Sequence, residues 1–101
     1  MIERIIFFPQ NKLSEQDFYR FGIDTIKSKG YKVEVWDFTP VLRPYYFKNY
    51  KLPNPSTYKN VKVFINKIEI LKCISELTFE EVIISLFPNN LTTSFIFKAL
   101  D

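Results

Sequence analysis

The segment from Ile5 to Pro40 reads as strand, loop, helix, turn and strand, and this order constrains the fold more than any other feature. Ile5–Phe8 is a short apolar run that ends at Pro9, which is typical of a strand covered on both faces. Tyr31–Trp36 alternates and is rich in aromatic and β-branched residues. The connection between the runs is far too long for a hairpin, so the sequence predicts a parallel βαβ unit.

A helix is expected inside this connection. Ser14 followed by Asp17 has the spacing of a helix N-cap, and Gly30 suits the residue after the helix end. Gly22 falls in the middle of the pattern and weakens a helix by about 1 kcal/mol relative to Ala. We expect its compensation to be a close approach of the helix to the sheet.

The remainder of the chain continues the alternation of strands and helices. Val61–Ile65 is a candidate short strand, and Asn66 is a candidate N-cap for the next helix. Glu81–Phe87 is the strongest strand pattern and reads as buried on both faces. Thr92–Ser94 offers caps for a last helix. The sequence predicts one domain over 1–101, a Rossmann-like three-layer α/β/α fold with a short, mostly parallel sheet in the order β-α-β-(β)-α-β-α.

Composition excludes several classes of site. The 101 residues contain one cysteine and no histidine, which rules out an internal disulfide, a histidine-based triad and a zinc site within this chain. No apolar run is long enough to span a bilayer, and the start lacks the features of a signal peptide. We therefore expect a cytoplasmic domain with no metal. Contact with the inner face of the cell membrane stays an open alternative.

Charge is unevenly distributed. From Phe38 to Ile68 the chain has six basic residues and no acidic one, although its formal net charge is only +3. Within this stretch, 41–60 is rich in proline and tyrosine, which predicts an irregular aromatic and basic loop. Its aromatics either pack over the sheet edge or contact a carbohydrate, a lipid-linked ligand or a nucleic acid. Without a KH-type or RNP1-type motif, nucleic acid is the least favoured partner.

Three loops should meet where the parallel strands end, and a cleft there is the default ligand site. The first loop has no glycine, which excludes the phosphate turn of dinucleotide-binding domains and the P-loop. Asp37 follows the second strand, where it either lines the cleft or hydrogen-bonds the next turn. No catalytic residue is assigned, and the candidate ligand residues are Gln10, Asn11, Lys12, Asp37, Thr39, Tyr45, Tyr46, Asn89, Asn90 and Thr92.

Three stretches together resemble the N-terminal region of bacterial glycosyltransferase-like proteins of capsule and O-antigen assembly: Ile5–Pro9, Phe21–Ile23 and Gly30–Pro40. The resemblance implies an acceptor-side lobe of a two-lobed GT-B enzyme. A second lobe would then hold the nucleotide-sugar donor, and this domain itself would bind no cofactor. The implied partners are that second lobe and a glycan or lipid-linked acceptor. The last helix pattern reaches Asp101 without a stop signal, which fits the front of a longer protein.

A second interpretation is a small, non-enzymatic α/β binding module for an anionic partner. The basic half of the chain favours it, since clustered lysines attract lipid headgroups, phosphate or nucleic acid. The alternative for the charge is an ordinary solvated, lysine-rich surface. A third interpretation is a structural or interaction domain whose aromatic loop covers a partner, which predicts a stable oligomer.

Overall fold

The protein folds around one sheet of four parallel strands in the order β3-β2-β1-β4. The computed structural model describes residues 3–10, 12–49, 51, 56–78, 80–87 and 93–100. The predicted parallel α/β fold is therefore confirmed. The elements are β1 (Arg4–Phe8), α1 (Glu15–Arg20), α2 (Ile23–Ser28), β2 (Lys32–Asp37), α3 (Thr39–Leu42), α4 (Pro44–Asn49), β3 (Val61–Val63), α5 (Lys67–Ser75), β4 (Glu81–Ser85) and α6 (Ser94–Leu100).

Helices cover both faces of the sheet and give three layers. On one face, Phe7 and Val35 pack with residues of α1 and α2 around the buried Ile23. On the other face, residues of α3, α5 and α6 surround a larger core that is centred on Phe8. The period of two along each strand explains this division, because neighbouring side chains point to opposite faces. The larger core has as its buried members Ile6, Phe8, Trp36, Phe38, Phe64, Ile70, Ile74, Phe87 and Ile96.

Two helices begin at the N-caps that the sequence predicts. The Ser14 side chain accepts a hydrogen bond from the Asp17 N–H at 3.0 Å. The Asn66 side chain accepts one from the Glu69 N–H at 2.8 Å. Each cap satisfies a backbone donor that has no partner within its helix.

Gly22 does not do what the sequence led us to expect. It lies between α1 and α2 with φ +68°, so the predicted single helix is two short helices. A Cβ built at Gly22 would meet no atom within 4 Å, which excludes a close approach to the sheet as the reason for glycine. The left-handed backbone is the reason, because that conformation is strained for residues with a Cβ.

Two further expectations were wrong. The strand predicted to be buried on both faces, β4, is half-buried along its length, since it lies at the edge of the sheet and no described strand pairs with its outer side. The segment predicted to be irregular over 41–60 begins with helical structure in α3 and α4. Its prolines explain this, since Pro40 and Pro44 both lie in first turns, where a missing N–H costs nothing.

Among the helices of the described residues, none is both long and apolar enough to cross a membrane.

Candidate functional site

The carboxyl edge of the sheet is the place where this fold brings loops together. The chain runs outward from β1 to β2 and β3, and then returns to the opposite side of β1 as β4. The direction of winding thus reverses between β1 and β4, and parallel α/β sheets bind ligands at such a point. The two strands stay paired up to their ends, since Phe8 faces Ser85 and the Leu86 N–H donates to the Phe8 carbonyl at 2.9 Å.

Asp37 is the last residue of β2 and is completely buried. Its Oδ1 accepts a hydrogen bond from the Thr39 N–H at 2.9 Å and a second, short one from the Thr39 hydroxyl. Its backbone carbonyl accepts the Phe64 N–H at 2.9 Å. Asp37 thus ties the end of β2 to the start of α3 and to the end of β3. This geometry bears out the interpretation that Asp37 hydrogen-bonds the turn after it.

The second carboxylate oxygen of Asp37 differs from the first. Oδ2 is buried, and no hydrogen-bond donor among the described residues reaches it. A buried polar atom without a partner costs about 1–3 kcal/mol and more when charged, so such atoms are rare in native proteins. The carboxyl edge therefore holds a buried acceptor, Asp37 Oδ2, that no described donor reaches.

The other residues predicted for this edge lie on the loop after β1, on α3 and α4, or outside the described residues. Gln10 and Lys12 are exposed in the loop after β1, and Thr39 is the buried first residue of α3. Tyr45 lies on α4 with 81% of its surface exposed. Tyr46 is half-buried, with the Arg43 guanidinium carbon 4.2 Å from its ring centre. The predictions Asn11, Asn89, Asn90 and Thr92 lie outside the described residues.

Three clefts that described residues line lie away from these predicted positions. Two of them adjoin on the side of β2 and β3, with volumes of about 560 and 440 Å³, and they share Lys27, Lys59 and Asn60. A third, of about 410 Å³, lies between α5, α6 and β4. We call the first two together the basic–aromatic groove. Residues from three separate segments form it, namely 15–19, 27–34 and 56–62.

Sequence reasoning missed this groove. The available signal was the absence of acidic residues from Phe38 to Ile68, which covers Tyr58, Lys59 and Lys62. The aromatic wall from α1 and the lysine from α2 carried no comparable signal, because amphipathic helices normally expose such residues.

A charged network fixes the opposite, amino end of the sheet. Arg4 on β1 binds Glu34 on β2 at 2.6 Å and Glu81 on β4 at 2.5 Å, and Glu34 also accepts the Trp36 indole N–H at 3.0 Å. Burial by itself would raise the pKa of Glu34, but the hydrogen bonds from Trp36 and Arg4 and the Arg4 charge together lower it. These partly exposed charged side chains thereby join the three neighbouring strands β2, β1 and β4.

The described residues contain no group of three or more cysteine or acidic side chains suited to a metal ion. Comparisons with known proteins do not extend these observations. No family model matches the chain, and neither a curated protein nor a solved structure shows significant similarity to it.

Proposed function

We propose that this domain is the acceptor-side lobe of a glycosyltransferase that assembles a bacterial surface polysaccharide. The reaction would transfer a sugar from a nucleotide donor, held by a second lobe, to a glycan or lipid-linked acceptor. The observation that carries the proposal is Asp37, a buried carboxylate at the carboxyl edge with one oxygen that no described donor reaches.

Two features of the edge support an acceptor role. Asp37 holds the start of α3 through Thr39, and α4 follows α3 directly with the exposed ring of Tyr45. An exposed tyrosine ring offers an apolar face and a hydroxyl, which suits the mixed surface of a sugar. The lack of glycine in the loop after β1 is consistent with a donor nucleotide bound elsewhere.

The role of Asp37 in this proposal depends on movement of the chain above it. The carboxylate is closed off from solvent, so an acceptor hydroxyl reaches Oδ2 only when the residues that cover it move aside. In that state Oδ2 would accept the hydrogen bond that it lacks, which gives binding a favourable contribution. Until then Asp37 acts as a positioning residue for α3 and α4.

A glycan array probed with the labelled domain tests the proposal. We expect binding to bacterial surface glycans that Tyr45→Ala weakens at least fivefold and Asp37→Asn also weakens. Tyr19→Ala is the matched control, because this tyrosine is similarly exposed but lies on α1. The proposal fails if no glycan binds, or if Tyr45→Ala and Tyr19→Ala have equal effects.

A further inference from the structure

The two halves of the basic–aromatic groove differ in chemistry. Phe18, Tyr19 and Tyr58 line one half, which also contains the carboxylate of Glu15. Lys32 and Lys62 line the other half beside Tyr31 and Glu34. Lys27 and Lys59 lie where the halves meet. A ligand that follows the groove thus passes from aromatic rings to ammonium groups.

The wall of the groove is held in place by backbone hydrogen bonds. Along 56–60, the Ser56 N–H donates to the Leu13 carbonyl at 3.1 Å, and the Asn60 carbonyl accepts the Val35 N–H at 2.9 Å. Between these points the Tyr58 hydroxyl donates to the Val33 carbonyl at 2.6 Å. The segment is therefore fixed to β2 and to the loop after β1, which limits the entropy lost when a ligand binds.

The charge in the groove is available to a ligand. Among the described residues, none of Lys27, Lys32 and Lys59 forms a salt bridge, whereas the Lys62 ammonium is engaged by the Cys73 Sγ on α5 at 3.1 Å. Glu34 is occupied by Arg4, and its pKa is lowered, so its charge is already compensated. The cations are all lysines, and a lysine ammonium binds phosphate as a point charge. The basic half therefore suits phosphate groups.

The aromatic half suits a flat ring. The Tyr58 ring centre lies 5.3 Å from the Phe18 ring centre and 5.2 Å from the Lys27 Nζ. Tyr19 is 69% exposed and packs edge-on against Phe18, which leaves ring surface open to the cleft. Tyrosine rings of this kind stack on nucleobases regardless of base identity.

We propose that the basic–aromatic groove binds a nucleotide, with the base against Tyr19 and the phosphates along Lys27, Lys59 and Lys32. The groove uses the amino half of β2 and the segment before β3, so it is separate from the carboxyl edge. It adds a second site, and its existence does not depend on the glycosyltransferase proposal. The chemistry is shared by a free nucleotide and a single strand.

Calorimetric titration of the protein with three probes tests this proposal. The probes are ADP, a short oligothymidylate and tripolyphosphate, each over a series of salt concentrations. The variants are the double Lys27→Gln/Lys59→Gln and the single Tyr19→Ala, all at exposed positions. The matched controls are Lys98→Gln on α6 and Phe47→Ala on α4, both at exposed positions.

We expect ADP or the oligothymidylate to bind, and the tighter of the two identifies the source of the ligand. The double lysine variant should weaken binding about tenfold and reduce the salt slope by roughly 1 to 2, because each lysine lost leaves one phosphate contact unmade. Tyr19→Ala should weaken both nucleotide probes at least about fivefold and leave tripolyphosphate unchanged.

Three results would overturn the proposal: no binding of either nucleotide probe at low salt, tripolyphosphate binding as tight as both nucleotide probes, or control variants that lose as much affinity as the groove variants. Circular dichroism of each variant verifies that the fold is intact before the titrations are compared.

Discussion

Replacement of Thr39 by valine removes one of the two hydrogen bonds to the buried Asp37 carboxylate while it nearly preserves the volume of the side chain. The Thr39 hydroxyl and its N–H both donate to Oδ1, and Oδ2 has no described donor. In Thr39→Val the carboxylate keeps a single described side-chain hydrogen bond. No other change in this chain isolates the contribution of the hydroxyl so cleanly.

The expected magnitude follows from the charge and burial of Asp37. A hydrogen bond to a charged group contributes about 1.5–3 kcal/mol, so Thr39→Val should lower the free energy of unfolding by that amount. A loss of about 2 kcal/mol corresponds to a fall in Tm of roughly 8–16 °C for a domain of this size. Asp37→Asn should be at least as stable as the wild type, because a buried amide costs less than a buried carboxylate with an unmatched oxygen.

A double-mutant cycle in urea measures the coupling between the two residues. In the Asp37→Asn background the hydroxyl bonds a neutral group, so Thr39→Val should cost only about 0.5–1.5 kcal/mol. The coupling energy is then about 1 kcal/mol. An equal cost of Thr39→Val in both backgrounds would refute the reasoning, as would an Asp37→Asn protein that is less stable than the wild type. The second result would show that a donor already reaches Oδ2.

Three further predictions concern the scaffold. Glu34→Gln should destabilise the protein by on the order of 1 kcal/mol at pH 7. Because the folded pKa of Glu34 is lowered from 4.5, the difference in urea midpoint between variant and wild type should shrink as pH falls below about 4.5. A difference that stays constant down to about pH 3 would contradict this. Phe8→Ala should cost about 3–5 kcal/mol and approach global unfolding by circular dichroism, while Tyr45→Ala should stay within about 0.5 kcal/mol. Gly22→Ala should cost about 1–2 kcal/mol in thermal melts and Gly22→Asn less, and equal melts would show that the left-handed backbone is unimportant.

The candidate site was only partly predictable, as Asp37 and Tyr19 illustrate. Asp37 could be placed at the carboxyl edge because it stands at the end of the second strand of a βαβ unit. Its closure from solvent could not be foreseen, since burial depends on the packing of segments around it in the folded protein. Tyr19 looked like an ordinary exposed residue of an amphipathic helix. Its place beside Lys27 and Tyr58 follows from the path of 56–60 across β2, a contact between distant segments.

Local chemistry along the chain is sufficient to predict several elements of the fold. Apolar runs set β1 and β2, side-chain caps at Ser14 and Asn66 set two helix starts, and the long connection after β1 required parallel pairing. Tertiary structure alone decided the strand order, which placed β4 at an edge and left it half-buried. It also decided which lysines and tyrosines share a groove. Sequence periodicity reports which face of an element is apolar, whereas neighbours across the sheet are selected by packing between segments far apart in the chain.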